Sequence, residues 1–133
     1  MNYLDYAATT PVNAEVLEVI TKEMASFGNP SSVYRIGREQ KQKIERVKKA
    51  ILSELQASPH DAIIFTSSGS EGNNLVFESI REHFAKEKGH IIVSAVEHPS
   101  VRKPAEFLEQ EGFDVTYLAP NKDGIVTVSE IEQ

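Results

Sequence analysis

The chain has 133 residues, the length of a single domain, a formal net charge of −6 and no cysteine. A chain of this length buries about 65 to 70% of its unfolded surface, which is enough for a hydrophobic core. The missing cysteines exclude disulfides and thiolate metal sites, the four histidines lack metal-ligand spacing, and the acidic balance argues against nucleic acid as a partner. No apolar run approaches the roughly 20 residues of a membrane span, so we expect a soluble cytoplasmic protein without a metal centre.

The first part of the sequence predicts an extended start followed by two helices. Asn13 is expected to cap the first helix, and Gly28 to end it. The apolar face of this helix is formed by Leu17, Ile20, Met24 and Phe27. Residues 29–32, Asn-Pro-Ser-Ser, form a predicted turn, and a longer helix is expected from Gly37 to Leu55. Its buried stripe is formed by Ile44, Val47, Ile51 and Leu55.

From residue 62 onward the pattern alternates between strands and helices. The predicted strands span residues 62–66, 90–95 and 114–118, and the predicted helices span residues 70–85 and 99–111. The first of these helices presents Val76, Ile80 and Phe84 for packing, and the second presents Val101, Ala105 and Leu108. Helices of this length between strands indicate parallel pairing through right-handed crossovers. The predicted fold class is therefore α/β, with an incomplete parallel three-strand sheet and flanking helices.

The last residues carry the signature of a helix start. Ser129 and Glu132 have the spacing of a capping box, in which each residue satisfies a backbone N–H of the other. A parallel sheet of three strands also has two open edges and uncovered faces, whereas parallel sheets are usually buried on both sides. We therefore expect the sequence to be the front part of a larger α/β protein.

The segment from Phe65 to Asn74 is the strongest functional signal. It predicts a strand, a Ser- and Gly-rich turn and a helix whose N-cap is Ser70. Gly69 permits close approach of a ligand to the backbone, and free N–H groups at a helix N-terminus bind anions. The spacing fits neither the P-loop nor the dinucleotide fingerprint. The residues alone indicate an anion site, or equally a capped helix that binds no ligand.

Three segments in this order resemble the N-terminal part of cysteine desulfurases. They are Tyr3 to Pro11, Phe27 to Ser32, and Phe65 to Asn74 followed by Glu97 and His98. These enzymes form the class V branch of the fold-type I pyridoxal-phosphate (PLP) enzymes, and the resemblance covers the whole chain. It implies that residues 1–12 are an extended start belonging to the small domain, and that residues 13–133 are the first part of the PLP-binding large domain.

The resemblance also implies roles for three residues. Gly69 and Ser70 match the positions that hold the PLP phosphate by a backbone amide and a hydroxyl. His98 matches the histidine that stacks on the pyridine ring and assists proton transfer. The alternative for His98 is a structural histidine, hydrogen-bonded at the end of a strand. Glu71, Asn73 and Asn74 match the motif as well, but bracing of the helix explains them equally.

The sequence departs from the family pattern in several places. The phosphate turn of the family usually reads Ser-Gly-Ala-Thr-Glu-Ser-Asn-Asn. Here Ser68, Gly69, Ser70 and Gly72 replace its Gly, Ala, Thr and second Ser, and Tyr34 stands where a histidine is common. Neither the lysine that binds the cofactor aldehyde nor the cysteine that accepts sulfur is present among these residues. Both lie farther along the family's chain.

We therefore expect the N-terminal portion of a PLP-dependent cysteine desulfurase, inactive as this chain alone. The parent reaction converts L-cysteine to L-alanine and passes sulfur, as a persulfide, to an acceptor protein, as in iron–sulfur cluster assembly. A cytoplasmic homodimer is expected, with neither nucleic acid nor a membrane as partner. Two alternatives remain: another class V enzyme, such as a selenocysteine lyase or an aminotransferase-like enzyme, and a non-catalytic α/β module for anion binding or dimerisation.

Overall fold

A computed structural model describes residues 2–58 and 60–132, which divide into two compact units at Ile63 and Ile64. The first unit contains helices α1 (Ala14–Met24) and α2 (Arg35–Glu54). The second contains α3 (Gly69–His83), β1 (His90–Ser94), α4 (Pro99–Gln110), β2 (Asp114–Leu118) and α5 (Val128–Ile131). No helix within the described ranges is long and apolar enough to cross a membrane.

The first unit begins as the sequence predicts. The side chain of Asn13 caps α1, since its Oδ1 accepts the backbone N–H of Glu15 at 2.8 Å. The predicted turn at residues 29–32 is also present, with the N–H of Ser32 donating to the carbonyl oxygen of Asn29 at 3.0 Å. Helix α2 starts at Arg35, two residues before the predicted Gly37. The predicted helix start was therefore late by half a turn.

Gly37 allows the turn at residues 29–32 to pack closely against the first turn of α2. A Cβ atom at this position would lie 2.5 Å from the carbonyl oxygen of Asn29 and 2.7 Å from the Cβ of Ser32. These separations are far below van der Waals contact, so only glycine allows the turn and the first turn of α2 to approach so closely. Gly37 is accordingly buried inside a helix that is otherwise half-buried or exposed.

The second unit is a β-α-β arrangement. Strands β1 and β2 pair in parallel from His90 with Asp114 to Ser94 with Leu118, and α4 connects them. The core consists of Val93, Ala105, Leu108 and Phe113. Of the three predicted packing residues of α4, Ala105 and Leu108 are fully buried and Val101 is half-buried. The predicted α/β class and the parallel pairing of these two strands are confirmed.

The predicted third strand is wrong. Residues 62–66 belong to no strand, and the described sheet has two strands rather than three. Ile64 is 70% exposed and Phe65 56% exposed. A strand exists only through hydrogen bonds to a neighbour, and no strand in the described part of the chain lies beside this segment. Residues 62–66 have the apolar composition of a strand, but composition alone does not provide the neighbouring strand that pairing requires.

Two predicted caps are also wrong. Helix α3 begins at Gly69 with Ser68 as its N-cap, not Ser70, and the Oγ of Ser68 accepts the N–H of Glu71 at 3.2 Å. The Ser-x-x-Glu spacing that signals a cap is present at Ser68 and Glu71 but not at Ser70, which is followed three residues later by Asn73. Helix α5 is capped by Thr127 with Glu130, not by Ser129 with Glu132. In both helices the N-cap is a hydroxyl residue two positions before the predicted one.

Helix α3 packs on α4 with a different face from the one predicted. Asn73, Phe77 and Arg81, spaced four residues apart, face α4: Phe77 lines a groove with Leu108, and Arg81 lies 3.7 Å from Glu111. The predicted stripe instead lines an apolar groove on the surface, formed by Ile64, Leu75, Val76, Ser79, Ile80, His83 and Phe84. A four-residue spacing describes either face of this helix, and only packing chooses between them.

Candidate functional site

The first turn of α3 offers a set of open hydrogen-bond donors. Within the described part of the chain, the N–H groups of Gly69 and Ser70 donate to no protein acceptor, and the hydroxyl of Ser70 makes no hydrogen bond. A Cβ atom at Gly69 would meet nothing within 4 Å. Space is therefore open in front of this residue. Such a turn, with the positive end of the helix dipole behind it, can accept a phosphate dianion.

Glu71 is the one acidic residue in this turn, and its carboxylate is already engaged. The Oε2 atom accepts the backbone N–H of Ser67 at 2.5 Å and the hydroxyl of Ser67 at 2.6 Å. The two hydrogen bonds from Ser67, the side-chain bond first, hold the pKa of Glu71 below its ordinary value. The carboxylate thus braces the chain that enters α3.

His98 lies at the start of the second helix of the site, α4. Its ring caps α4, because Nδ1 accepts the N–H of Ser100 at 3.1 Å, and Pro99 occupies the first helical position as predicted. The hydroxyl of Ser100 also lies 2.9 Å from the same Nδ1. An Nδ1 atom that accepts an N–H cannot carry a proton itself, so the proton of the neutral ring is on Nε2.

Asn73 connects the two helix starts. Its Nδ2 donates to the Oγ of Ser100 at 2.9 Å, from the second turn of α3 to the first turn of α4. Asn74, by contrast, donates to the carbonyl oxygen of Ser70 at 2.7 Å, within its own helix. The structure therefore brings together the predicted segments that contain Gly69, Ser70 and His98. It also gives Asn73 and Asn74 different contacts, which the sequence motif does not distinguish.

One residue that contacts the predicted site residues, Ser100, was not predicted from the sequence. Ser100 contacts both Asn73 and His98, yet no motif singled it out. The available signal was its position two residues after His98 in a His-Pro-Ser helix start, where the second helical N–H faces the capping residue. The predicted role of Gly69 and Ser70 in phosphate binding stays a prediction, as does the predicted role of His98. The open N–H groups of Gly69 and Ser70 are suited to binding an anion.

Comparison with known proteins decides the family. The family described as Aminotransferase class-V matches residues 2–133. The chain belongs to the class-V aminotransferase family. Members of this family, including the cysteine desulfurases, generally use PLP as their cofactor.

Cysteine desulfurases are among the proteins of similar sequence. The chain is 41% identical over 132 residues to cysteine desulfurase IscS of Dictyoglomus turgidum, covering 98% of the chain and 33% of that protein. It is 38% identical over 133 residues to the mitochondrial cysteine desulfurase of Eremothecium gossypii, covering 98% of the chain and 27% of that protein. This class-V chain thus spans about a third or less of the length of these relatives.

Solved structures agree with the sequence matches. SspA in complex with cysteine superimposes with a TM-score of 0.90 at 38% identity, covering 99% of this chain and 38% of that one. DndA from Streptomyces lividans gives a TM-score of 0.80 at 36% identity, covering 98% of this chain and 37% of that one. The fold of the class-V chain is therefore that of the corresponding part of these proteins, which confirms the predicted resemblance.

Proposed function

We propose that this chain is the N-terminal part of a PLP-dependent cysteine desulfurase, which converts L-cysteine to L-alanine and passes the sulfur as a persulfide to an acceptor protein. The observation that carries the proposal is the likeness to SspA in complex with cysteine over 99% of the chain, at a TM-score of 0.90. In this proposal the chain supplies the phosphate side and the ring side of the cofactor site. The lysine for the cofactor aldehyde and the sulfur-accepting cysteine are not among its residues.

The open donors at the start of α3 hold the cofactor phosphate in this proposal. The N–H groups of Gly69 and Ser70 and the hydroxyl of Ser70 point to no acceptor within the described residues. Three donors at the positive end of a 15-residue helix can each bind one terminal oxygen of a phosphate, and the helix dipole favours its negative charge. Since Glu71 is hydrogen-bonded to Ser67, its carboxylate is held by the entering chain rather than by the donors of the turn.

His98 acts on the ring side. Its Nδ1 is committed to Ser100, so its Nε2 carries the exchangeable proton and is the atom through which His98 donates a proton to a neighbouring group. When bound, PLP supplies the electron sink for the reaction at the carbon atoms of the substrate. The contribution of His98 is to face the ring and to hold a proton at a fixed position.

The remaining parts of the proposal concern the whole protein. Residues 1–12 belong to a small domain, and residues 13–133 to the first part of the PLP-binding domain. The protein works as a cytoplasmic homodimer that delivers sulfur for iron–sulfur cluster assembly. The support is the likeness to bacterial cysteine desulfurases over 98% of this chain.

The test uses the protein encoded by the complete reading frame, followed by alanine formation from L-cysteine in the presence of PLP. We expect alanine and enzyme-bound persulfide in equal amounts in a single turnover. Faster turnover of L-selenocysteine would favour a selenocysteine lyase. No alanine from either substrate would favour an aminotransferase-like enzyme or a non-catalytic module.

The phosphate site is tested by Ser70→Ala. A hydrogen bond to a charged group contributes about 1.5 to 3 kcal/mol, so the affinity for PLP should fall about ten- to a hundredfold. Ser79→Ala is the matched control, because the hydroxyl of Ser79 bonds only to the carbonyl oxygen of Leu75 in the same helix. Equal affinity of the Ser70 variant and the control would remove Ser70 from the site.

A further inference from the structure

The hydrogen bonds around His98 form a continuous relay between two helices. The amide of Asn73 donates to the Oγ of Ser100 at 2.9 Å, and that Oγ lies 2.9 Å from Nδ1 of His98. Because the Oγ of Ser100 accepts from Asn73, its own proton is free to point at Nδ1. The backbone N–H of Ser100 approaches the same nitrogen at 3.1 Å. Two donors from one residue thus converge on one ring nitrogen.

The two residues that hold the ring of His98 are less exposed to solvent than His98 itself. Ser100 and Asn73 are half-buried between α3 and α4, whereas His98 is exposed. Hydrogen bonds in a chain polarise one another and are stronger when shielded from water. The half-buried pair can therefore hold a ring that solvent would otherwise leave free to rotate. Pro99 restricts the backbone between His98 and Ser100 by fixing its own φ angle.

We propose that Asn73 and Ser100 are positioning residues that fix both the orientation and the tautomer of His98, keeping the proton on Nε2. This inference rests on the proposed function in so far as His98 serves the cofactor ring. Neither residue needs to touch the cofactor. Their contribution is to link the helix that carries Gly69 and Ser70 to the ring of His98 through side-chain hydrogen bonds.

The direct test is the tautomer itself, read from long-range proton–nitrogen NMR correlations of the His98 ring in the ¹⁵N-labelled chain. We expect a single Nε2–H tautomer in the native sequence. Ser100→Val and Ser100→Thr form a matched pair, since their side chains have the same shape and only threonine keeps a hydroxyl. The threonine variant should retain the native ring signals. The valine variant keeps only the backbone N–H as a donor to Nδ1, so its ring signals should shift toward a larger fraction of the Nδ1–H tautomer.

Asn73→Ala tests the far end of the relay without altering the cap of α4. It should shift the His98 signals in the same direction as Ser100→Val, and the double variant should add little, because the two residues act through one path. Ser79→Ala is the control and should leave these signals in place. Native His98 signals in both Ser100→Val and Asn73→Ala would overturn the proposal, as would a native Nδ1–H tautomer.

A second measurement separates this inference from the proposed function. In the protein from the complete reading frame, Ser100→Val loses one neutral hydrogen bond, which contributes about 0.5 to 1.5 kcal/mol. This variant should therefore lower kcat about two- to tenfold and leave PLP affinity unchanged. Normal turnover of His98→Ala would overturn the catalytic role of His98, while the NMR result would still decide whether the relay exists. A loss of PLP affinity in Ser100→Val equal to its loss of turnover would show a merely structural effect.

Discussion

The two units of the chain are built from similar lengths of sequence but differ in how much they bury. The second unit encloses Val93, Ala105, Leu108 and Phe113, none more than 6% exposed. In the described residues of the first unit, only Gly37 is buried. The apolar face of α1 is open instead, with Leu17 55% and Met24 82% exposed, and Phe27, which lies beyond the end of α1, is 79% exposed.

The difference follows from how each unit is connected. A parallel β-α-β crossover returns the helix onto its own two strands, so a core forms within about 30 residues of chain. The polar contacts to α2 in the first unit instead include Lys43 with Glu23 of α1 at 2.6 Å, and Gln40 with Ser26, just beyond the end of α1, at 3.0 Å. A surface ion pair such as Lys43 with Glu23 contributes little to stability. The lesson is that helical periodicity identifies an apolar face without telling what covers it.

The largest expected effect comes from the core of the second unit. Leu108→Ala should lower the free energy of unfolding of this unit by about 2 to 5 kcal/mol, because Leu108 is 1% exposed and its removal leaves a cavity. The matched variant Leu17→Ala, at a position 55% exposed, should change stability by no more than about 0.5 kcal/mol. Hydrogen exchange resolved to single amides measures both. Equal losses would contradict the contrast between the units.

A second test compares two helical glycines. Gly37→Ala places a Cβ 2.5 Å from the carbonyl oxygen of Asn29, so the first unit should lose about 1 to 3 kcal/mol through overpacking. Gly72→Ala meets only the Oγ1 of Thr66 at 3.5 Å, and should instead stabilise α3 by about 0.5 to 1 kcal/mol. Chemical unfolding followed by circular dichroism gives the sign of each change. A stabilising effect of Gly37→Ala would contradict the close turn at Gly37.

The third test separates the cap of α3 from its open donors. Ser68→Ala removes the acceptor for the N–H of Glu71 and should destabilise α3 by about 0.5 to 2 kcal/mol. Ser70→Ala removes a hydroxyl that bonds to nothing in the described chain, so stability should change by less than about 0.5 kcal/mol. Amide exchange of α3 is the measurement, with Ser68→Asp as a variant that keeps a cap. A larger loss in Ser70→Ala would restore Ser70 as the cap.

The smallest expected effect concerns two carboxylates, one in each unit. The pKa of Glu71 is lowered by the side-chain and backbone hydrogen bonds of Ser67, and that of Glu23 is lowered first by its hydrogen bond to Lys43. Because both pKa values lie below the ordinary value of 4.5, each contribution to stability is present above that pH and is lost as the pH falls through the lowered pKa.

Salt distinguishes the two carboxylates. Raising the ionic strength from 0.1 to 1 M shortens the screening length from about 10 to 3 Å. This weakens the attraction of exposed Glu23 to half-buried Lys43 but does not weaken the hydrogen bonds from the neutral donors of Ser67 to Glu71. In NMR titrations of the side-chain carboxyl carbons, the pKa of Glu23 should rise toward its ordinary value while that of Glu71 stays low. A parallel rise in both would show that Glu71 is held by charge.

The local signals in the sequence were sufficient for most helices and for both strands that form. Asn13 and Pro99 marked helix starts correctly, because a cap is decided by residues within three positions of it. Ser68 and Ser70 show the limit of such signals: both are hydroxyl residues near the same helix start, and hydrogen-bond geometry chose the first. Likewise, residues 62–66 have the composition of a strand but no neighbour to pair with in the described chain.

The sequence by itself determined the α/β class of fold, the resemblance to the class-V family, and the presence of a glycine, Gly69, at the start of α3. Only the tertiary structure decided that Asn73 reaches Ser100 while Asn74 bonds within its own helix. The reason is physical. A motif fixes what lies within one turn of helix, whereas a contact between residues 27 positions apart depends on how α3 and α4 pack.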